Sequence, residues 1–207
     1  MKQILFLTGF ILLMSGFVMA QGKAPKTINE YFLAIPEEYI KSDTRQRAFW
    51  IDDDNAKDGY LSFTIPAAQF LEDDDVADAK VFGEAQLFKK DKGGMIVGLT
   101  INICAENKCE GQLLLLDYNN GNWKNVTDEL APEIDTDEIY NILKESPAYE
   151  KPIEEGDEIP LAIQLNGGDK MISFLADCKT SFDGGVVAKM FKWNGKSFVA
   201  FEYELGP

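Results

Sequence analysis

The chain has 207 residues, room for one large domain or two small ones, and its 45% hydrophobic and 12% aromatic content is ample for a packed core, which excludes global disorder. Its 35 Asp and Glu against 20 Lys and Arg leave a formal charge of -15, which argues against a nucleic-acid backbone or an anionic membrane surface as partner. Histidine is absent, and with it go Ser-His-Asp and Cys-His nucleophile systems, His-containing zinc or copper sites and the usual general base near neutral pH.

Residues 1–20 read as a removable leader. Lys2 gives a positive start, Ile4 to Phe17 an apolar run, and Val18-Met19-Ala20 a small-residue site, so cleavage is expected after Ala20. The apolar run is shorter than the roughly 20 residues a bilayer span needs, and no later segment approaches that length. The expectation is a mature chain without a membrane span, secreted or periplasmic.

Helical signals come next. Thr27 and Glu30 have capping-box spacing, and Ile28, Tyr31, Phe32 and Ile35 follow at helical intervals until Pro36. Pro36 either ends that helix or opens a short one through Ile40, and Ser42 or Asp43 can cap another running through Arg45, Phe49 and Trp50. Asp52 to Gly59 reads as a turn-rich stretch before a strand over Tyr60 to Ile65, which Pro66 stops.

From Val81 onward, strands alternate with hairpin punctuation. Val81 to Lys89, Met95 to Cys104, Gln112 to Tyr118 and Trp123 to Val126 are separated by Gly93-Gly94, a polar link and Asn119-Asn120-Gly121. Met95, Val97, Leu99, Ile101 and Ile103 share one parity and Thr100 and Asn102 the other, which predicts one buried and one wetter face. Asp135 or Thr136 caps a helix with Ile139, Tyr140, Ile142 and Leu143 as its stripe. Four further strands are predicted over Ile159 to Leu165, Met171 to Cys178, Val186 to Trp193 and Ser197 to Tyr203.

The two halves correspond. Met95-Ile96 running to Cys104 matches Met171-Ile172 running to Cys178, the links after each cysteine have equal length, and an Asn-Gly turn beside a Trp closes each half. The expected fold class is therefore α+β, two tandem repeats of helix plus four-stranded antiparallel sheet at 27–131 and 132–207, with an all-β sandwich as the alternative.

This organisation resembles the beta-lactamase-inhibitor-protein-like architecture, in which helix-loop-helix plus a four-stranded sheet occurs twice. Ala34-Ile35-Pro36, Arg47 and Asp52, a strand ending in Cys104 and Cys109, then Tyr118 and Trp123, together resemble a family of uncharacterised secreted bacterial proteins over residues 28 to 126. The resemblance implies a fold and a compartment, and no activity.

Three cysteines allow three pairings in an oxidising compartment. Cys104 with Cys109 is favoured, because the polar link between them joins two strand candidates whose ends a hairpin already brings together. Cys178 then remains a buried thiol. Asp52, Asp54 and Asp58 form a calcium candidate, but with Gly59 at the turn position Ala56 and Ile65 occupy places where ligands belong, so a solvated turn is the expected reading and no metal or cofactor is expected. The aromatics Trp50, Tyr118, Trp123 and Trp193 are candidate binding residues for a sugar or peptide, against the simpler reading of Trp123 and Trp193 as caps on sheet ends.

Paired carboxylates can hydrolyse glycosides without histidine, and Asp73-Asp74-Asp75, Glu154-Glu155 and Asp157-Glu158 keep that class open. No catalytic set is recognised. The leading expectation is a noncatalytic secreted or periplasmic binding protein, with an inhibitor of a basic protein such as a lysozyme-like enzyme as its specific form. A carboxylate-based glycan hydrolase and a structural or accessory envelope protein are the alternatives.

Overall fold

The computed structural model describes residues 24–70, 79–105, 108–146, 149, 152–154, 156–178 and 185–202. The leader with its cleavage site and the run Asp73-Asp74-Asp75 lie outside them.

Local signals set the two N-terminal helices. In α1 (Ile28–Ala34) the Thr27 side chain accepts from the Glu30 amide while the Glu30 carboxylate accepts from the Thr27 amide, a complete capping box. Asp43 and Gln46 do the same for α2 (Thr44–Trp50). Ile35, held extended before Pro36, ends α1. Arg47 on α2, 1% exposed, then locks the pair: its guanidinium donates to the carbonyls of Ser42 at 2.6 Å, Ile35 at 2.7 Å and Leu33 at 2.9 Å. Carbonyls that a short helix leaves unpaired at its end thus find a buried donor.

Six strands follow in one antiparallel sheet whose spatial order is the chain order: β1 (Ile51–Lys57), β2 (Tyr60–Ile65), β3 (Lys80–Lys89), β4 (Met95–Ala105), β5 (Lys108–Asn119) and β6 (Asn122–Asn125). A single-turn helix, α3 (Ala67–Phe70), interrupts the meander after Pro66. Ala85 stands opposite Leu99, and Leu99 opposite Leu114, so one parity of the central strands forms an apolar face. Ile28, Phe32, Ile35 and Trp50 from the helices pack on that face against Leu61, Phe63, Val97 and Leu116.

After the single turn α4 (Thr127–Leu130) and the ten-residue α5 (Thr136–Glu145), a second antiparallel sheet forms from β7 (Leu161–Asn166), β8 (Met171–Ala176), β9 (Val186–Trp193) and β10 (Phe198–Ala200), again in chain order. Asp135 caps α5 through the amides of Asp137 and Glu138. Its buried Ile139 and Leu143 pack on Ala176 and Ala188. Every residue of β8 is buried, as expected of an inner strand covered on both faces.

The expected α+β class, two tandem units of helix plus four strands, is overturned by this arrangement of a six-stranded and a four-stranded sheet in which the helices among the described residues have ten residues or fewer. The architecture is mostly β and fits the all-β alternative better. The cause lies in Asp52 to Gly59. The turn is confined to Asp58 and Gly59, at φ 52° and 77°, a two-residue hairpin loop of the Asp-Gly kind, and the acidic residues before it lie in β1. As the outermost strand, β1 tolerates a charged composition that an inner strand would not. Likewise the polar link after Cys104 is largely strand: Cys104 faces Cys109 and Ala105 faces Lys108 in the ladder.

A second difference concerns Thr100 and Asn102, expected on a wetter face. Both are fully buried, because the second sheet covers that face. Phe88, Ile96 and Leu115 of the first sheet pack there against Leu165, Ile172 and Phe191 of the second.

Candidate functional site

The contact between the sheets is polar where it meets backbone. β7 is an end strand of its sheet, so one edge of its N–H and C=O groups is left over and must be satisfied or left to water. Side chains of the first sheet supply the partners. The Asn102 amide donates to Ile163 O at 2.9 Å while its oxygen accepts from Ile163 N at 2.8 Å. Glu84 accepts from Leu165 N at 2.6 Å, and Gln86 donates to the carbonyls of Asn166 and Gly167 at 3.2 and 3.1 Å. Gly111 completes the fit. A Cβ there would meet the Asn102 oxygen at 2.5 Å and Ile163 N at 2.6 Å, so a glycine permits the close approach of β5 and β7.

Glu84 is 3% exposed and also accepts from the Tyr60 hydroxyl. Burial pushes its carboxyl up to about 7 against the pull of the donors from Tyr60 and Leu165, and burial, aided by Glu84, likewise raises the Tyr60 hydroxyl. This acid seals a strand edge and lines none of the cavities described next. Sequence reasoning missed it, although an acid inside the apolar run Val81 to Phe88 is itself a signal that a buried donor awaits it.

Where the seam reaches the surface, a cleft opens. A cavity of about 220 Å³ lies among Lys108 and Cys109 of β5, Tyr149, Ile153, Asp177 and Cys178. It adjoins a groove of about 430 Å³ that includes Glu110, Gly111, Ile134, Ile163 and Phe174, and the two share Lys108, Glu158, Ile159 and Pro160. Glu110, Asp157 and Glu158 are exposed at the rim with Lys108, three acids to one base, while Ile163 and Phe174 are buried beneath it. Asp157 is held in place, its carboxylate accepting from the Glu154 amide at 2.8 Å. An apolar floor with an acidic rim suits a ligand that carries positive charge on an apolar stem.

Cys104 and Cys109 form a disulfide directly across the β4–β5 ladder, at the end of this cleft. Cys178 is a buried free thiol, its pKa raised by burial and by the neighbouring Asp177 carboxylate. Asp177 itself adopts a left-handed φ of 57° as the chain leaves β8.

The four candidate aromatics are not gathered in one place. Trp50 is buried under the helices, stacked on Phe63 at 6.3 Å with its indole N–H donated to Gln69 at 3.1 Å. Tyr118 and Trp123 are cross-strand neighbours with centroids 4.9 Å apart, and Tyr31 from α1 meets Tyr118 edge-on at 5.2 Å. Trp193 lies on the other side of the first sheet, packed against Phe88 and Phe198, and donates to Lys89 O at 2.7 Å. Of the calcium candidates, Asp52 and Asp54 lie in β1, and their side chains are outside the described residues. Asp58 sits in the hairpin turn, where its carbonyl accepts from the Lys170 ammonium at 2.9 Å. Among the described residues, no group of three or more Cys, Asp or Glu is placed to hold a metal ion, and no helix is long and apolar enough to cross a membrane.

No family model matches the chain, and no curated protein matches it. Among solved structures it is similar to a domain of an uncharacterized protein from Porphyromonas gingivalis W83, at 12% identity and a TM-score of 0.50, over 85% of this chain and 100% of that one. That likeness is one of fold, shared with an uncharacterised bacterial protein, and it brings no activity with it.

Proposed function

We propose that the protein is a noncatalytic, exported binding protein that receives a basic segment of a partner protein in the cleft between β5 and the chain leading into β7. The observation that carries this reading is the net acidic rim, in which Glu110, Asp157 and Glu158 outnumber Lys108, over the apolar Ile134, Ile159 and Phe174. A lysine or arginine side chain lays its stem on such a floor and its charge at the rim. The overall charge of -15 adds long-range attraction, which speeds encounter with a basic partner and weakens as salt screens it. The leader-like residues 1–20 and a disulfide in so small a protein support export to an oxidising compartment. Within it, basic wall-degrading enzymes of the lysozyme kind are fitting targets, and occlusion of such an enzyme would make the protein an inhibitor.

The test is calorimetric titration with a c-type lysozyme at low and high salt. The reading expects a complex that weakens at high salt and is abolished by the double reversal Glu110→Lys and Glu158→Lys. Absence of binding by the wild-type protein at low salt, or binding indifferent to both salt and charge reversal, would count against it.

A further inference from the structure

Cys178, the third cysteine, is not remote from the other two. It is buried in one apolar cluster with the Cys104–Cys109 bridge, together with Ala162 and Leu175 and flanked by the half-buried Phe82. Cys109 and Cys178 also line the same cavity of about 220 Å³, so open space adjoins both residues. Neighbouring backbone seats the thiol: a Cβ placed on Gly185 would run into the Cys178 sulfur. A buried thiol and a disulfide, the two reactants of thiol–disulfide exchange, thus share one apolar cluster and border one cavity.

We propose that Cys178 is the exchange partner of the Cys104–Cys109 disulfide, making this corner a thiol–disulfide centre with two covalent states. In the exchange the Cys178 sulfur, giving up its proton, attacks the sulfur of Cys109. The Cys109–Cys178 bond forms as the Cys104–Cys109 bond breaks, and Cys104 leaves as a thiolate that takes up a proton. One disulfide is exchanged for another, with no net oxidation and no outside reagent. In the resting state the bridge closes a loop of sequence separation 5 within one hairpin. After exchange it ties β5 to the segment that leaves β8, joining the two sheets covalently beside the cleft. A bridge over the longer loop constrains the unfolded chain more, so the exchanged state resists unfolding better wherever its geometry is unstrained.

The experiment is to isolate the second pairing. Cys104→Ser leaves Cys109 and Cys178 as free thiols, and oxidised glutathione supplies the oxidant for that variant. The proposal expects a monomer that loses both titratable thiols and two hydrogens of mass, with peptide mapping showing Cys109 linked to Cys178 and the circular dichroism unchanged. Two thiols that persist, pair only between molecules, or end as glutathione adducts in a folded variant would overturn it. Should Cys104→Ser not fold, the wild-type protein decides. Incubated natively with a trace of reduced glutathione, it must accumulate a Cys109–Cys178 peptide that Cys178→Ser lacks, and a map showing Cys104–Cys109 alone overturns the proposal.

Discussion

The two faces of the six-stranded sheet are both covered, but by different means. On one face the helices contribute Ile28, Phe32, Ile35 and Trp50, and the contact is apolar and closed on itself. On the other, the second sheet arrives with β7, whose unpaired backbone edge must be satisfied inside the protein. Apolar packing around Phe88, Ile96 and Leu115 is therefore combined with Glu84, Gln86 and Asn102, side chains that substitute for a missing neighbouring strand. The lesson is that a helix asks a sheet for apolar area, whereas a strand edge asks for hydrogen bonds. A sheet face can look wet in sequence and still be buried.

This contrast can be broken from either side. Phe32→Ala removes a fully buried ring from the apolar face, and it should cost about 4 kcal/mol in denaturant unfolding with little dependence on pH. Asn102→Ala should cost about 3 kcal/mol, because it strands both the N–H and the C=O of Ile163. Were Asn102→Ala as mild as a surface substitution, the seam would not depend on these bonds.

Glu84 makes the polar seam sensitive to pH. Its carboxyl titrates at about 7 in the folded protein, above its ordinary 4.5, so between those values the folded state binds more protons than the unfolded one. Stability contributed by the protonated acid is complete below about 4.5 and is lost as pH rises through 7, up to about 3 kcal/mol in all. Unfolding profiles of wild type against Glu84→Gln should diverge over that window, with the variant gaining as pH rises, and parallel profiles would place the acid in a more polar setting. Smaller still, Trp193→Phe should cost about 1 kcal/mol through the lost bond to Lys89 O.

Local features were legible in the sequence because their causes are local. Thr27 with Glu30 announces α1, and the turn at Asn120 and Gly121, both at positive φ, follows from the residues that best tolerate that backbone. The cysteine pair could be placed because a hairpin joins its two members. Asp58-Gly59 was equally readable, but the acids of β1 before it hid a strand that only its outer position makes tolerable. Thr100 and Asn102 misled for a different reason: the sheet that buries them lies later in the chain, and the backbone that Asn102 satisfies, at Ile163, is some sixty residues away. The cleft was unreadable for the same cause, since it exists only once the edge of β7 is laid against β5.

The proposed function places a basic ligand in the cleft beside this seam, rather than on the aromatic cluster of Tyr118 and Trp123 or at the turn of Asp58. Amide shift mapping with a short lysine- and leucine-containing peptide at low salt tests it most directly. A ligand held in the cleft gives perturbations centred on Lys108 to Gly111 and Asp157 to Leu161 that fade on adding salt. Perturbations centred on Trp123 or Asp58, or a spectrum that the peptide leaves unchanged, would contradict it.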